Sequence, residues 1–184
     1  LSCPFDLKSI NLLKKLNLNR FKIPSGEITN IPYLNKIGSL KKKIILSTGM
    51  STYEEIKQAI KILISSGTKK KNITILHCSS EYPANKNNLN LLSIPLLKKK
   101  FKIDVGYSDH SLGLQASLTA VALGARIIEK HFTINKRLSG PDQKASLSPN
   151  ELKSLVNGIR GVETILGKYI KKPYPAELKN LKFI

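Results

Sequence analysis

The chain has 184 residues, 41% of them hydrophobic, and a formal net charge of +19 from 31 basic and 12 acidic residues. This composition supports one hydrophobic core and one domain, and no apolar run approaches the ~20 residues that span a bilayer. The charge does not argue for a nucleic-acid binder: the only arginines are Arg20, Arg126, Arg137 and Arg160, the lysines cluster in runs at 41–43, 69–71 and 98–100, and no stripe of interleaved aromatic and basic residues is present to stack bases. Lysine in such places complements helix C-termini and keeps a surface soluble. Cys3 and Cys78 are too few for a disulfide framework, so both are expected to be free, in a reducing cytoplasm.

Short apolar runs alternate with helical patterns along the chain. The opening "LSCPF" (1–5) reads as a strand entered midway, with no signal peptide before it. "DLKSINLLKKLN" places Leu7, Ile10, Leu13 and Leu16 near one helical face. "RFKIPS" (20–25) reads as a strand, followed by a short helix from Ile31. "KIILSTG" (43–49) reads as a strand leading into a helix capped by Ser51 with Glu54 and ended by Gly67. "NITILHCSS" (72–80) is the next strand, and Pro95 is expected to kink or interrupt the helix after it. "IDVGYSD" (103–109) and "ARIIEKHFT" (125–133) are strands flanking an apolar helix that ends at Gly124. A polar loop, 133–149, precedes a last helix capped by Ser148, with Pro149 first and Glu151 completing the box.

Strand–helix repetition implies a parallel sheet with right-handed crossovers. Nearly every strand finishes in polar residues: Ser25 and Glu27, Ser47 and Thr48, Ser79 to Tyr82, Ser108 to His110, Glu129 to His131. No glycine-rich dinucleotide fingerprint follows a strand. Polar groups at many strand ends favour a (β/α)8 barrel, which gathers its site at the C-terminal rim, over an open sheet. The barrel typically needs ~250 residues, so about six strands read as a fragment covering strands 3 to 8 with their helices.

Side chains alternate along a strand. Ser108 and His110 therefore share a face, as do Glu129 and His131 on the next strand. Each histidine alone reads first as a hydrogen-bonded core residue, but two imidazoles and a carboxylate on neighbouring strand ends are a reasonable ligand set for a divalent metal. His77, on the other face from Cys78, Ser80 and Tyr82, reads as structural. Lys22, inside an apolar strand, either snorkels to the surface or meets an anion. Ser25, Ser47 and the "STGMS" backbone offer donors for a phosphate, and Asp142 in the long loop is a candidate substrate contact.

The strings "FKIPSGEITN", "ILSTGMSTYEEI", "LHCSSEYPAN", "GYSDHSLG", "IEKHFT" and "GPDQKASLSP" resemble, in order and spacing, the sialic acid synthase family over nearly the whole chain. The resemblance implies condensation of phosphoenolpyruvate with an N-acetylated amino sugar, N-acetylmannosamine or a bacterial dideoxy analogue, giving a nonulosonic acid and phosphate. It implies a divalent metal, Mn2+ with Mg2+ or Co2+ as alternatives, on His110 and His131. Glu129, His131 and Lys22 take the catalytic roles, and Lys22, Ser25, Ser47, Ser80, Tyr82 and Ser108 the phosphoenolpyruvate side. Asp142 contacts the sugar. It further implies a homodimer of the full-length protein, with two earlier barrel strands and a later antifreeze-like domain outside residues 1–184, and no nucleic-acid or membrane partner. Cys3, Ser80 and Gln143 stand where related motifs often carry threonine, asparagine and histidine. A synthase of 3-deoxy sugar acids from phosphorylated aldoses is the nearest alternative, but it calls for more arginines.

Overall fold

The computed structural model describes residues 1–183, without the side chains of Leu181 and Lys182. Its centre is a five-stranded, all-parallel sheet in sequential order. The strands are β1 (Arg20–Ile23), β2 (Lys43–Ser47), β3 (Ile73–Cys78), β4 (Asp104–Asp109) and β5 (Ile128–Lys130). The helices between and around them are α1 (Leu7–Lys15), α2 (Ile31–Ser39), α3 (Tyr53–Ser65), α4 (Ser93–Phe101), α5 (Gln115–Ala122), α6 (Pro149–Leu166) and the single-turn α7 (Pro175–Leu178).

One face of the sheet is apolar and packs on helices, and the other, on the inside of the curl, carries Lys22, Ser47, Cys78 and Ser108. Phe21, Ile23, Ile44, Leu46, Ile73, Ile75, Val105 and Tyr107 are buried, and helices close over them with Leu34 and Ile37 of α2, Ile56 and Leu63 of α3, Ile94 and Leu97 of α4, and Ala116 and Ala120 of α5. At Gly106 a Cβ would lie 2.5 Å from the Ile127 carbonyl oxygen and 2.6 Å from Leu76 Cδ2, so only glycine permits this approach to the chain entering β5. The sheet curls until its first and last strands face each other: Arg20 of β1 and Ile127 beside β5 line one cavity, and Lys22 of β1 bonds Glu129 of β5. Five sequential parallel strands with outer helices make a half-barrel sheet, the architecture of a partial (β/α) barrel, with five strands where the sequence suggested about six.

Several boundaries differ from the sequence expectation. Residues 1–5 are not a strand. They make one parallel bridge, Ser2 to Phe21, where the Lys22 N–H donates to Ser2 O at 2.8 Å; Pro4 has no N–H to extend it. Similarly, β5 keeps only three residues, and Phe132 pairs instead with Leu147 in a separate bridge. The cap of α3 is Thr52 with Glu55, one residue beyond Ser51 and Glu54, because Ser51 N–H is taken by the Thr48 carbonyl in the preceding turn. Pro95 kinks nothing: it is the third residue of α4, where no intrahelical N–H is needed. In α1 only Ile10 is fully buried, and Leu7 and Leu16 are exposed. The cap at Ser148 with Glu151 stands as expected.

Candidate active site

All five strands run the same way, so their C-terminal ends form one rim. Lys22 Nζ lies 2.8 Å from Glu129 Oε1, with the lysine side chain 13% and the glutamate 39% exposed. Ser108 Oγ donates to the same carboxylate oxygen at 2.8 Å and lies 3.3 Å from His110 Nε2. On the other side of that ring, His110 Nδ1 is 2.6 Å from the Ser79 carbonyl oxygen. A carbonyl only accepts, so Nδ1 carries the proton and Nε2 keeps its lone pair. The single Ser108 proton is engaged by the closer, charged carboxylate, which leaves Nε2 without a donor. Burial pushes the His110 pKa below its ordinary value, favouring this neutral form.

His131 completes the rim. Its ring centroid is 5.6 Å from that of His110, and Tyr82 packs against both, at 4.1 Å from His110 and 5.9 Å from His131. Asp142 Oδ2 reaches to 3.8 Å from His131 Nδ1. Ser108, His110, Glu129 and His131 line a cavity of about 170 Å3, which Lys130 borders although its side chain is 4% exposed and turns to Asp109. Larger cavities lie elsewhere, between α3 and α4 on the outer surface and at the opposite end of the strands, but neither is lined by an imidazole.

A second cluster gathers around Gly49, just past β2. Its φ is +46°, and a Cβ there would lie 2.7 Å from Ser25 Oγ and 2.9 Å from Ser80 Oγ. The two hydroxyls thus converge on backbone that no side chain can crowd. Gly49 N–H donates to Cys78 Sγ at 3.1 Å, and Ser47 is buried at the end of β2. Burial raises the Cys78 thiol pKa, so it stays protonated. Cys3 is close to the ion pair; burial raises its pKa and Lys22 partly opposes this.

Sequence reasoning therefore picked residues that meet: Lys22, Tyr82, Ser108, His110, Glu129, His131 and Asp142 form one connected set, and Ser25, Ser47 and Ser80 surround the β2 turn. His77 is structural, as expected, with Nε2 2.7 Å from the Leu89 carbonyl oxygen and its ring stacked on Tyr107. Three features escaped the sequence reading. The Ser79 carbonyl that sets the His110 tautomer is backbone and leaves no sequence signal. Gly49 was legible only as a turn glycine. The buried pair of Asp109 with Lys130 was hidden behind its neighbours, although strand alternation puts both on the face away from the cavity.

Among the described residues, no three His, Cys, Asp or Glu side chains converge as a metal cluster. The donors at hand are two imidazole nitrogens, one with its lone pair unclaimed, beside a carboxylate engaged by Lys22 and Ser108. This suits a borderline divalent cation that leaves most positions to water or substrate. Among the described residues, no helix is long and apolar enough to cross a membrane. No arginine lines the cavity: Arg20 lies at the far end of the strands and Arg160 pairs with Glu163 on α6.

A partial parallel barrel with basic, imidazole and carboxylate groups at one rim is the frame of an enzyme site. The chain belongs to the NeuB family, whose model matches residues 1–171. It is 56% identical over 184 residues to N,N'-diacetyllegionaminic acid synthase of Campylobacter jejuni, covering all of this chain and 55% of that protein. It is 39% identical over 166 residues to pseudaminic acid synthase of the same species, covering 90% of this chain and 48% of that one. Among solved structures, the sialic acid synthetase of Leptospira borgpetersenii, in complex with citrate, superposes with a TM-score of 0.91 at 37% identity, over 98% of this chain and 62% of that one. The chain spans about half the length of the curated relatives it matches.

Proposed function

We propose that this chain is the catalytic part of a nonulosonic acid synthase that condenses phosphoenolpyruvate with an N-acetylated amino sugar and releases phosphate. The observation that carries the reading is the connected set Lys22–Glu129–Ser108–His110 with His131, at the rim of parallel strands in a NeuB family chain. Identity to a diacetyllegionaminic acid synthase favours a bacterial di-N-acetylated sugar over N-acetylmannosamine.

In this reading Lys22 and the hydroxyls of Ser25, Ser47 and Ser80 hold the phosphate and carboxylate of phosphoenolpyruvate, with Ser108 and Tyr82 closing over it. Such charge-assisted and hydroxyl contacts stabilise charge developing at C2. Asp142 accepts from a sugar hydroxyl. His110 and His131 would hold a divalent metal, Mn2+ or else Mg2+ or Co2+, which when bound would supply Lewis-acid polarisation of an aldehyde oxygen. Glu129 sits beside both imidazoles and orients water. Phosphoenolpyruvate C3 forms the new bond to the aldehyde carbon, water adds at C2, and the bond from C2 to the phosphate oxygen breaks. The full-length enzyme works as a homodimer, which light scattering would test.

The deciding experiment uses the full-length protein with phosphoenolpyruvate and a di-N-acetylated amino sugar, following phosphate release and the product by mass spectrometry. His131→Ala should lower Mn2+ affinity by about 10–100-fold, the loss that even outer partners of a metal site incur. No condensation by the wild type, or unchanged calorimetric Mn2+ binding in both His110→Ala and His131→Ala, would overturn the reading.

A further inference from the structure

Behind the cavity, on the helix-facing side of the same two strands, lies a buried ion pair that the reaction does not use. Asp109 Oδ2 is 2.9 Å from Lys130 Nζ, and their side chains are 0% and 4% exposed. Every acceptor direction of the carboxylate is filled. Oδ1 accepts from the Ser111 N–H at 2.9 Å and the Ser111 hydroxyl at 2.7 Å, and Oδ2 accepts from Ser117 Oγ of α5 at 2.6 Å as well as from Lys130. Lys130 Nζ also donates to the Ser111 carbonyl at 2.7 Å. One network thus ties together β4, the turn after it, α5 and β5.

Its position gives it a use. In the β4–β5 ladder Ser108 stands opposite Glu129 and Asp109 opposite Lys130. The ion pair is therefore one residue away, on both strands, from the groups that face the cavity: Ser108 and His110 on one, Glu129 and His131 on the other. β5 has three residues and three ladder pairs, too few to fix its own register firmly. A slip by one residue would turn Lys130 into the cavity and carry Glu129 and His131 to the helix side. A slip by two would leave Asp109 buried without its cation. A buried ion pair contributes little to stability compared with apolar residues of similar volume, and its best-attested use is to select one register among several.

We propose that the Asp109–Lys130 pair is a positioning device: it sets the register of β5 on β4 and so holds Glu129 and His131 opposite Ser108 and His110. The proposal rests on the synthase reading for what the positioned groups do, but not for the register itself.

The test is the double variant Asp109→Leu/Lys130→Met in the full-length protein. Its melting temperature should fall, since Leu and Met leave the Ser111 and Ser117 groups without their buried partners, so the measurements are made well below it. Amide hydrogen exchange should accelerate over 128–131 while β1 to β3 keep their protection. Mn2+ affinity should fall at least ~10-fold. Turnover should fall, because Glu129 and His131 no longer stand opposite Ser108 and His110. A folded double variant with wild-type exchange over 128–131 and wild-type turnover overturns the proposal. Should the double variant not fold, Ser117→Ala removes one hydrogen bond and no charge, and must show the same local exchange change in weaker form; wild-type exchange there also overturns it. If the wild type neither binds Mn2+ nor condenses the substrates, the synthase reading has failed, and the exchange measurement alone still decides the register.

Discussion

Lys22 shows how much chemistry one residue's setting can reveal. It stands between buried Phe21 and Ile23 on a four-residue strand, yet its ammonium reaches the rim and meets Glu129. The lysine runs at 69–71 and 98–100 instead sit in a surface turn and in the last turn of α4. A charge-assisted contact to substrate is worth about 1.5–3 kcal/mol, so Lys22→Met should lower kcat/KM for phosphoenolpyruvate by roughly 10- to 150-fold. Replacing Lys69, Lys70 and Lys71 together with glutamine should change it by less than about twofold, because isolated surface charges do little. Steady-state kinetics of both variants in the full-length protein, with folding checked by circular dichroism, compares them. If the triple variant loses activity and Lys22→Met keeps it, the anion does not bind at the rim.

At the scale of elements, the turn from β2 into α3 is the most constrained piece of the rim. A left-handed residue costs about 1–3 kcal/mol unless it is glycine, and at Gly49 a methyl group would also press on the Ser25 side chain. Gly49→Ala should therefore lower the unfolding free energy by at least that range and weaken binding of inorganic phosphate, both measurable by denaturant titration and calorimetry. Phosphate affinity unchanged in Gly49→Ala would separate Ser25 and Ser80 from the anion site. The sequence made the elements legible where periodicity and caps agree, as at Ser148–Pro149–Glu151. It misled where two solutions overlap: Ser51/Glu54 and Thr52/Glu55 are equally good boxes, and only the turn at Gly49 chooses between them. The faces of β4 and β5 followed from alternation alone, which is why His110, Glu129 and His131 could be grouped before any coordinates. Backbone partners such as Ser79 O, and partners from distant strands such as Lys22 for Glu129, depend on how far the sheet curls, and no local pattern encodes that.

For the whole molecule, acid should act through the half-buried His77. Burial depresses the pKa of His77 below its ordinary 6.5, more than its bond to Leu89 raises it. The unfolded chain therefore takes up a proton at about pH 6.5 while the folded one resists until lower pH. Stability from this group is complete above the unfolded pKa and is lost as pH falls from there through the folded pKa. Thermal melts at pH 7.5 and 5.5 should show a larger acid-induced loss for the wild type than for His77→Gln. An equal loss in both would mean that His77 is already charged when folded. Among the described residues, the buried hydroxyl of Tyr107, whose ring stacks on His77, has no hydrogen-bond partner.

The bond between Lys22 and Glu129 carries one more implication, about competition. In the substrate-free fold Lys22 already holds an anion, and that anion is part of the same chain. Glu129 is in effect a tethered inhibitor, present at the high local concentration that covalent connection confers. In the proposed reading an incoming phosphate or carboxylate displaces it, and its release frees the carboxylate beside the two imidazoles when a substrate is present to use it. Glu129→Gln should thus bind inorganic phosphate more tightly than the wild type while turning over more slowly. Weaker phosphate binding in that variant would show that the glutamate supports the anion site instead of guarding it.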